Sequence, residues 1–191
     1  MKTKRIGEFF VLLLVGFQVF SSSAFSDVPG SLVQHIEQAA NNQERFGTVS
    51  WTPDGAWFIN TDKRVYFGGP IPVELGRHIK AAADESELFG HVAWKQDGSW
   101  FISTNRRVYF GGRVPGELAR HIKEAADNQE RFRTVSWTPD GAWFISTDRR
   151  VYFGEPIPGD LGRHIKEAAD RSEPFRNVAW NQDGSWFIST D

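Results

Sequence analysis

Apolar residues recur with helical spacing in one short segment of each part of the chain. Leu118, Ile122 and Ala125 follow at intervals of four and three residues, with His121 on the same face. This spacing, which follows Pro115 and an acidic first turn, predicts a helix of about three turns. The opposite face carries charged side chains, so one side of the helix should face a core and the other should face water.

Short apolar runs follow the helix and predict three strands. The first is predicted at 134–137, the second at 142–145 and the third at 150–154. The Thr-Pro-Asp-Gly sequence at 138–141 is typical of a type I turn followed by a residue with positive φ. The second and third strands are apolar at consecutive positions, so both faces of this small sheet should be covered.

The helix-and-strands pattern occurs four times at an interval of 43 residues. Tryptophan, histidine and the Asp-Gly pair of the turn all return at this interval, which divides the chain into units 28–70, 71–113, 114–156 and 157–191. Repeats of 20–50 residues are typical of solenoids and propellers. Units 1 and 3 are alike, as are units 2 and 4, so a pair of units has been duplicated.

We therefore predict a mainly β fold with α-helices, formed by a single repeat domain over 27–191. Each unit should be a three-stranded antiparallel meander plus one helix, and a β-propeller-like ring would cover both faces of every sheet. The last repeat is expected to be incomplete, because the chain stops at Asp191, before the counterpart of the third strand. Three alternatives follow: an exposed sheet edge, an edge closed by another chain, or a truncated product.

Residues 1–26 have the composition of a secretory signal peptide. Lys2, Lys4 and Arg5 precede a 12-residue apolar stretch over 9–20, and small residues follow it. Twelve helical residues reach only about 18 Å, short of the roughly 30 Å hydrocarbon core of a membrane. We therefore expect a secreted or periplasmic protein with no membrane association after cleavage.

Composition excludes several classes of function. The chain holds no cysteine, so disulfides and thiolate metal sites are ruled out. Its formal net charge is −2, and loss of the signal peptide makes it −4, which gives no electrostatic basis for binding nucleic acid. No catalytic motif occurs, and residues present in every unit are poor candidates for a single catalytic centre. We predict a non-enzymatic protein that needs no cofactor.

Histidines recur on the predicted helices, one in each unit. Helices on the rim of a ring would hold them far apart, and no carboxylate accompanies them at a ligand spacing. We therefore interpret them as helix residues that hydrogen-bond neighbouring backbone, and we predict no metal site. His91 lies outside the repeat register and is expected to be a solvated surface residue. The four repeated histidines are His35, His78, His121 and His164.

Aromatic residues are the best candidates for a ligand site. Aromatic faces stack on the C–H groups of sugars, and short carboxylates accept hydrogen bonds from sugar hydroxyls. The first-strand tryptophans, such as Trp51, fit the core better, whereas core and ligand site remain equal alternatives for the aromatic residues of the second and third strands. The candidate ligand-binding residues are Trp57, Trp100, Trp143, Trp186, Tyr66, Tyr109, Tyr152, Asp62 and Asp148.

The segment 138–154 resembles the blade motif of tachylectin-2-like lectins. Both contain a Pro-x-Gly turn, an aromatic strand, an aspartate and an aromatic strand that ends in glycine. The segment is also similar to the T-P-D-G-x-W repeats of secreted bacterial proteins and, more distantly, to WD40-like β-propellers. Hemopexin-like propellers share the four blades and the helix in each blade. The lectin resemblance implies a propeller that binds N-acetylated sugars, with one site per blade.

Together these observations predict a secreted, non-enzymatic, multivalent binding protein with lectin-like carbohydrate binding as its first hypothesis. Several weak equivalent sites would gain affinity through avidity. The alternative is a propeller that scaffolds protein–protein interactions and binds no small molecule. The expected partner is thus a carbohydrate or a protein, and a homo-oligomer would form through the open edge of the last repeat.

Overall fold

The computed structural model describes residues 28–154, 156–180 and 186–190, so the signal peptide predicted at 1–26 lies outside the described residues. Four helices alternate with four antiparallel sheets in a mixed α/β fold. None of the helices in the described ranges has the length and apolar character needed to cross a membrane. The helices are α1 Gly30–Asn41, α2 Val73–Asp84, α3 Gly116–Asp127 and α4 Gly159–Asp170.

Three sheets have three strands, and the fourth has two within the described residues. Neighbouring strands pair in chain order, so each three-stranded sheet is a meander. The prediction of four tandem units, each a helix followed by an antiparallel sheet, is confirmed. The strands are β1 Phe46–Trp51, β2 Trp57–Thr61, β3 Val65–Gly68, β4 Phe89–Trp94, β5 Trp100–Thr104, β6 Val108–Gly111, β7 Phe132–Trp137, β8 Trp143–Thr147, β9 Val151–Gly154, β10 Phe175–Trp180 and β11 Trp186–Thr190.

Every helix ends in the same left-handed turn. In α3, the N–H of Gln129 donates to the carbonyl of Ala126, and the N–H of Glu130 donates to that of Ala125. This pair of bonds is a Schellman motif, which usually requires glycine because its turning residue has positive φ. Gln129 adopts φ 57° there without being glycine. The turn directs the chain into the first strand and points the following glutamate inward.

The Asp-Gly turns between first and second strands fold as predicted. Gly141 donates its N–H to the carbonyl of Thr138 at 3.0 Å, and Thr138 donates to Ala142 at 2.9 Å. Gly141 has φ 98°, a region that a residue without Cβ enters at little cost. Gly55 and Gly98 have φ 90° and 81° in the equivalent turns. The predicted residue of positive φ is therefore confirmed in these three turns.

From α2 onward, each helix packs between two consecutive sheets. Leu118 and Ile122 of α3 share one core cluster with Phe101 of the second sheet and with Val135 and Ile145 of the third. All five side chains are at most 1% exposed. Equivalent clusters surround α2 and α4. The middle strand of each inner sheet is thus covered on both faces, which explains its consecutive apolar residues.

The first and fourth units each lack one of these neighbours. Val49 and Ile36 in unit 1 are only partly buried, whereas their counterparts in units 2, 3 and 4 are buried. Phe187 in unit 4 is also partly buried. Its counterparts Phe58, Phe101 and Phe144 are fully buried. Wherever two consecutive units meet, two complementary apolar surfaces pack together. The partly buried side of unit 1 corresponds to one of these surfaces, and the partly buried side of unit 4 corresponds to the other.

The first strands of consecutive sheets lie side by side. Ser50 of β1 donates its hydroxyl to the carbonyl of Val92 in β4 at 3.3 Å. Ser136 of β7 donates to Val178 of β10 at 2.9 Å, in the same relation. β1, β4, β7 and β10 together line one cavity of about 510 Å³. Among the described strands no hydrogen-bonded closure joins the sheets into one barrel, so the propeller-like ring stays a prediction.

Candidate functional site

The second-strand tryptophans lie in the core in units 1 to 3. Trp57, Trp100 and Trp143 are 3%, 6% and 6% exposed, whereas Trp186 is 36% exposed. The helix histidine of each unit covers the indole, as His78 covers Trp100 with ring centroids 5.3 Å apart. A sugar would have to displace His78 before it could stack on this face of Trp100.

The third-strand tyrosines contact the same histidines. The His78 and Tyr109 rings stack with centroids 4.2 Å apart. The corresponding distances are 5.4 Å for His35 and Tyr66 and 4.6 Å for His121 and Tyr152. The structure therefore brings the predicted tryptophan and tyrosine together in units 1 to 3, but through a histidine that the sequence did not assign to the site.

Asp62 and Asp148 accept backbone hydrogen bonds at the end of the second strand that is remote from the tryptophan. The Asp148 carboxylate accepts the backbone N–H of Arg131 at 2.9 Å, and Asp62 accepts that of Arg45 at the same distance. Asp148 follows Trp143 by five residues of extended strand, a separation of roughly 17 Å. The predicted aspartates and tryptophans are therefore not brought together, and the ligand-binding role of these residues stays a prediction.

Each repeated helix histidine packs against the second-strand tryptophan of its own unit, so the four histidines do not meet at one site. His35 Nδ1 lies 2.8 Å from the carbonyl oxygen of Ser31, which confirms the predicted bond to neighbouring backbone for this residue. Across the described ranges, no group of three or more histidine, aspartate or glutamate side chains is placed to hold a metal ion.

Sequence analysis missed a glutamate that follows the helix in every unit. The Glu130 side chain is fully buried, accepts the Thr147 hydroxyl at 2.6 Å and lies 3.3 Å from Nε of Arg150. In unit 1 the equivalent bond from Thr61 lowers the pKa of Glu44 below its ordinary value. The signal was present in the sequence, since Glu44, Glu87, Glu130 and Glu173 share one register position. These glutamates tie the helix end to the second strand.

The cavity between the first strands is lined by polar residues from all four units. Its lining includes the hydroxyls of Thr48, Ser50 and Ser136 and the amide of Asn177. One end of the cavity is formed at the level of Arg133 and Arg176, and the other at the level of Trp51, Trp94 and Trp137. Four residues of strand separate the two levels, a distance of roughly 13 Å.

His91 belongs to this cavity and is not the solvated surface residue that the sequence predicted. Its Nε2 lies 3.0 Å from the carbonyl oxygen of Val135 on the neighbouring strand. Burial lowers the pKa of His91 to about 4, and the bond to Val135 opposes that shift only in part. The imidazole is therefore neutral at physiological pH and donates its N–H to the carbonyl.

Lys95 lies at the tryptophan end of the cavity. Its ammonium is 5.8 Å from the centroid of the Trp137 ring, within the range of a cation–π contact. Burial lowers the pKa of Lys95, and the nearby carboxylate of Asp97 acts in the opposite direction. Threonine occupies this position in units 1 and 3, so unit 2 alone brings a cation here within the described residues.

The tryptophans that line the cavity differ in how the indole N–H is satisfied. Trp137 Nε1 donates to the Ser99 hydroxyl at 2.9 Å. The buried Trp94 Nε1 has no hydrogen-bond partner among the described residues, because Ala56 occupies the position equivalent to Ser99. We expect Ala56→Ser to stabilise the protein by about 1 kcal/mol, because the new hydroxyl would accept the Trp94 N–H. Urea unfolding measures the change.

The reciprocal substitution is the control. Ser99→Ala removes the acceptor of a buried N–H and should destabilise the protein by about 1–3 kcal/mol. A loss of stability in Ala56→Ser, or no loss in Ser99→Ala, would contradict this account of the two tryptophans.

Comparison with known proteins gives this chain no relative. The resemblance to tachylectin-2-like and WD40-like propellers accordingly rests on the repeat motif alone. No protein-family model, no curated protein and no solved structure matches the chain.

Proposed function

We propose that this chain is a secreted or periplasmic, non-enzymatic, lectin-like protein that binds carbohydrate in its central cavity. The observation that carries the proposal is the cavity itself, with about 510 Å³ of space lined by hydroxyl- and amide-bearing residues such as Thr48, Ser50, Ser136 and Asn177. Its volume lies within the range of about 300–1,000 Å³ that is usual for small-ligand sites. Hydroxyls and amides can exchange hydrogen bonds with sugar hydroxyls.

The proposal includes closure of the four units into a propeller-like ring. Consecutive units bury the same apolar surfaces three times, and the partly buried Phe187 of unit 4 and Val49 of unit 1 belong to the two open halves of that interface. Joining these halves within one chain would enclose the cavity on all sides. Joining them between chains would give a head-to-tail homo-oligomer through the last repeat.

A multivalent arrangement with one site per unit has a separate basis. Tyr66, Tyr109 and Tyr152 are partly exposed at equivalent positions. The Tyr152 hydroxyl lies 3.1 Å from Nη1 of Arg150, so an aromatic ring and hydrogen-bond donors lie side by side at the surface. These groups, together with the more exposed Trp186, are what an equivalent sugar site in each unit would use.

Protein–protein scaffolding is the second candidate function. Val73 and Leu88 are 78% and 69% exposed, and Phe67 is 40% exposed. Large apolar side chains exposed to this extent favour contact with another protein if they form one continuous surface. A scaffold of this kind would leave the central cavity without a ligand.

Binding stoichiometry separates these alternatives. The mature chain is screened on a glycan array, and each glycan that binds is titrated by calorimetry and by tryptophan fluorescence. One site per chain with a fluorescence change is expected, since Trp51, Trp94 and Trp137 line the cavity. Three or four sites per chain would favour the unit sites instead. Absence of binding to every glycan would overturn the carbohydrate proposal.

A cavity-filling variant provides the matched control. Ala93 lines the cavity, and Ala93→Phe should reduce sugar affinity at least tenfold by occupying ligand space. Ala83→Phe adds the same side chain on the exposed side of α2 and should leave affinity unchanged. Equal affinity in both variants would place the sugar outside the cavity.

A further inference from the structure

We propose that the β11 edge of unit 4 binds an extended peptide as a third strand, and that this peptide carries arginine, tyrosine and glycine at alternate positions. The β11 edge is the backbone of Trp186–Thr190 on the side away from β10. It is separate from the central cavity, whose described lining includes no residue of β11. Peptide binding here therefore does not depend on the carbohydrate proposal.

The other three sheets show what occupies this edge. In unit 3, β8 pairs with β7 on one side and with β9 on the other, whereas within the described residues β11 pairs only with β10. A strand edge with unpaired backbone groups is a template for a further strand. In the β8–β9 pair, Trp143 lies opposite Gly154 and Ile145 lies opposite Tyr152. An added strand on β11 would take the same register.

Side chains that the third strand covers in unit 3 are more exposed in unit 4. Trp186 is 36% exposed, against 6% for Trp143. His164 packs on Trp186 with ring centroids 5.1 Å apart, and 41% of its side chain is exposed, against 16% for His121. Trp143 lies in the core cluster around α3 of its own unit, against which Tyr152 of β9 packs. The greater exposure of Trp186 therefore follows from the two-stranded sheet.

The glutamate after the helix differs between the two units in the same way. The Glu173 side chain is 31% exposed, whereas that of Glu130 is fully buried. In unit 3 the covering cation comes from the third strand, where Nε of Arg150 lies 3.3 Å from Oε1 of Glu130. Glu173 pairs with Arg171, and a carboxylate has lone pairs for more than one guanidinium. An arginine on the added strand would approach Glu173 as Arg150 approaches Glu130.

Tyrosine and glycine of the third strand meet the helix histidine and the second-strand tryptophan. The Tyr152 ring lies 4.6 Å from that of His121 between centroids. Gly154 lies against the Trp143 indole, which a Cβ at this position would overlap. The equivalent histidine and tryptophan of unit 4 offer the same two surfaces. Tyrosine and glycine are therefore the residues that this part of the β11 edge accepts.

The three contacts come from one face of the strand. Positions 150, 152 and 154 alternate along β9, and alternate side chains of a strand point to the same side. When a peptide adds to a sheet edge, backbone hydrogen bonds supply affinity and alternate side chains supply specificity. The β11 edge thus fits the pattern Arg-x-Tyr-x-Gly, with a carboxylate, an imidazole and an indole as the three points of recognition.

A capped peptide that copies residues 148–154, Asp-Arg-Arg-Val-Tyr-Phe-Gly, tests the inference on the mature chain. We expect calorimetry to show saturable binding of one peptide per chain. The unfolding temperature should rise with peptide concentration, because a ligand that binds only the folded state stabilises it. Hydrogen exchange measured by mass spectrometry should show new protection of the backbone amides at 186–190.

Two altered peptides test the recognition pattern. The Gly154→Ala peptide should bind at least tenfold more weakly, because its Cβ would overlap the Trp186 indole. The Arg150→Gln peptide should bind about threefold more weakly, as expected for loss of a partly exposed ion pair. Glu173→Gln in the chain should abolish the difference between the parent and Arg150→Gln peptides. Glu117→Gln, which removes an exposed carboxylate from α3, should leave that difference unchanged.

The contradicting results are equally specific. Absence of binding at millimolar peptide, or equal affinity of the parent and Gly154→Ala peptides, would overturn the inference. New protection at β3, β6 or β9 instead of β11 would also overturn it, because the peptide would then be replacing a resident strand. If circular dichroism shows that Glu173→Gln does not fold, the two altered peptides on the wild-type chain still decide the outcome. None of these results affects sugar binding in the cavity, which the glycan titrations test separately.

Discussion

Lowering the pH from 7 to 4.5 is expected to reduce the free energy of unfolding of the wild-type protein by about 2 kcal/mol more than that of His91→Thr. Burial lowers the pKa of His91 to about 4 in the folded protein, against about 6.5 in the unfolded chain. Between these values the unfolded state binds more protons, so stability rises with pH and is lost as pH falls through the window. From pH 6.5 to pH 4.5 the loss is at most 1.36 kcal/mol per pH unit, which sets the upper limit of the difference between the two proteins.

Threonine is the appropriate replacement because units 1 and 3 carry it at this position. The Thr134 hydroxyl donates to the carbonyl of Arg176 on the next strand, so a threonine at 91 would donate to the equivalent carbonyl of Arg133 in place of the bond from His91 to Val135. Lys95, Arg133 and Arg176 line the same cavity and are present in both proteins.

Carboxylates whose pKa is lowered, such as Glu44, stabilise the folded protein when they are ionised, and this contribution is also lost as pH falls. They contribute equally to the wild type and to His91→Thr, so the difference between the two proteins isolates His91. Urea unfolding at pH 7, 6, 5 and 4.5 measures it. Identical pH profiles would mean that His91 is not buried in its neutral form.

Replacing Gly111 by alanine should destabilise the protein by about 2–3 kcal/mol. Gly111 pairs with Trp100 across the sheet, and a Cβ at this position would lie 2.8 Å from the indole carbons. Trp100 is 6% exposed and stacks against His78, so it has no free space into which to move. Overpacking of this kind costs about 1–3 kcal/mol. Thermal and urea unfolding measure the loss.

Gly162→Ala is the matched control, because it adds the same methyl group where there is room. A Cβ at Gly162 would lie 3.9 Å from the nearest side-chain atoms, and Ala119 occupies the equivalent position of α3. Alanine is favoured over glycine in a helix, so this variant should gain up to about 1 kcal/mol. If Gly111→Ala also gained stability, the Trp100 packing described above would be incorrect.

Local sequence patterns predicted the repeat unit well, because its elements are short and each carries its own signals. The helix spacing around Leu118 and the Asp-Gly turn at Gly141 both folded as expected. The first strand of unit 3 was predicted at 134–137 but begins at Phe132. Phe132 pairs with Thr147 across an irregular register, and a simple alternation pattern does not detect such a pair.

The site was harder to predict, because the contacts that form it join different units. Apolar residues on both faces of β2 gave no sign of which face is open, so Trp57 and its equivalents remained ambiguous. The informative signal was the alternation of Thr48 and Ser50 with Val49 and Trp51 in the first strand. Polar residues recur on this face in units 1 and 3, with alanine at the serine position in units 2 and 4, and only the adjacency of the four strands shows that the face lines one cavity.

The recurring interface between units also determines how stability is distributed along the chain. Units 2 and 3 each bury both of their sides, whereas units 1 and 4 bury one, so an open chain has the energetics of a linear array that frays from its ends. Closing the ring would remove the ends without any new kind of contact. Every unit would then depend equally on two neighbours, and the loss of any one would weaken the other three cooperatively.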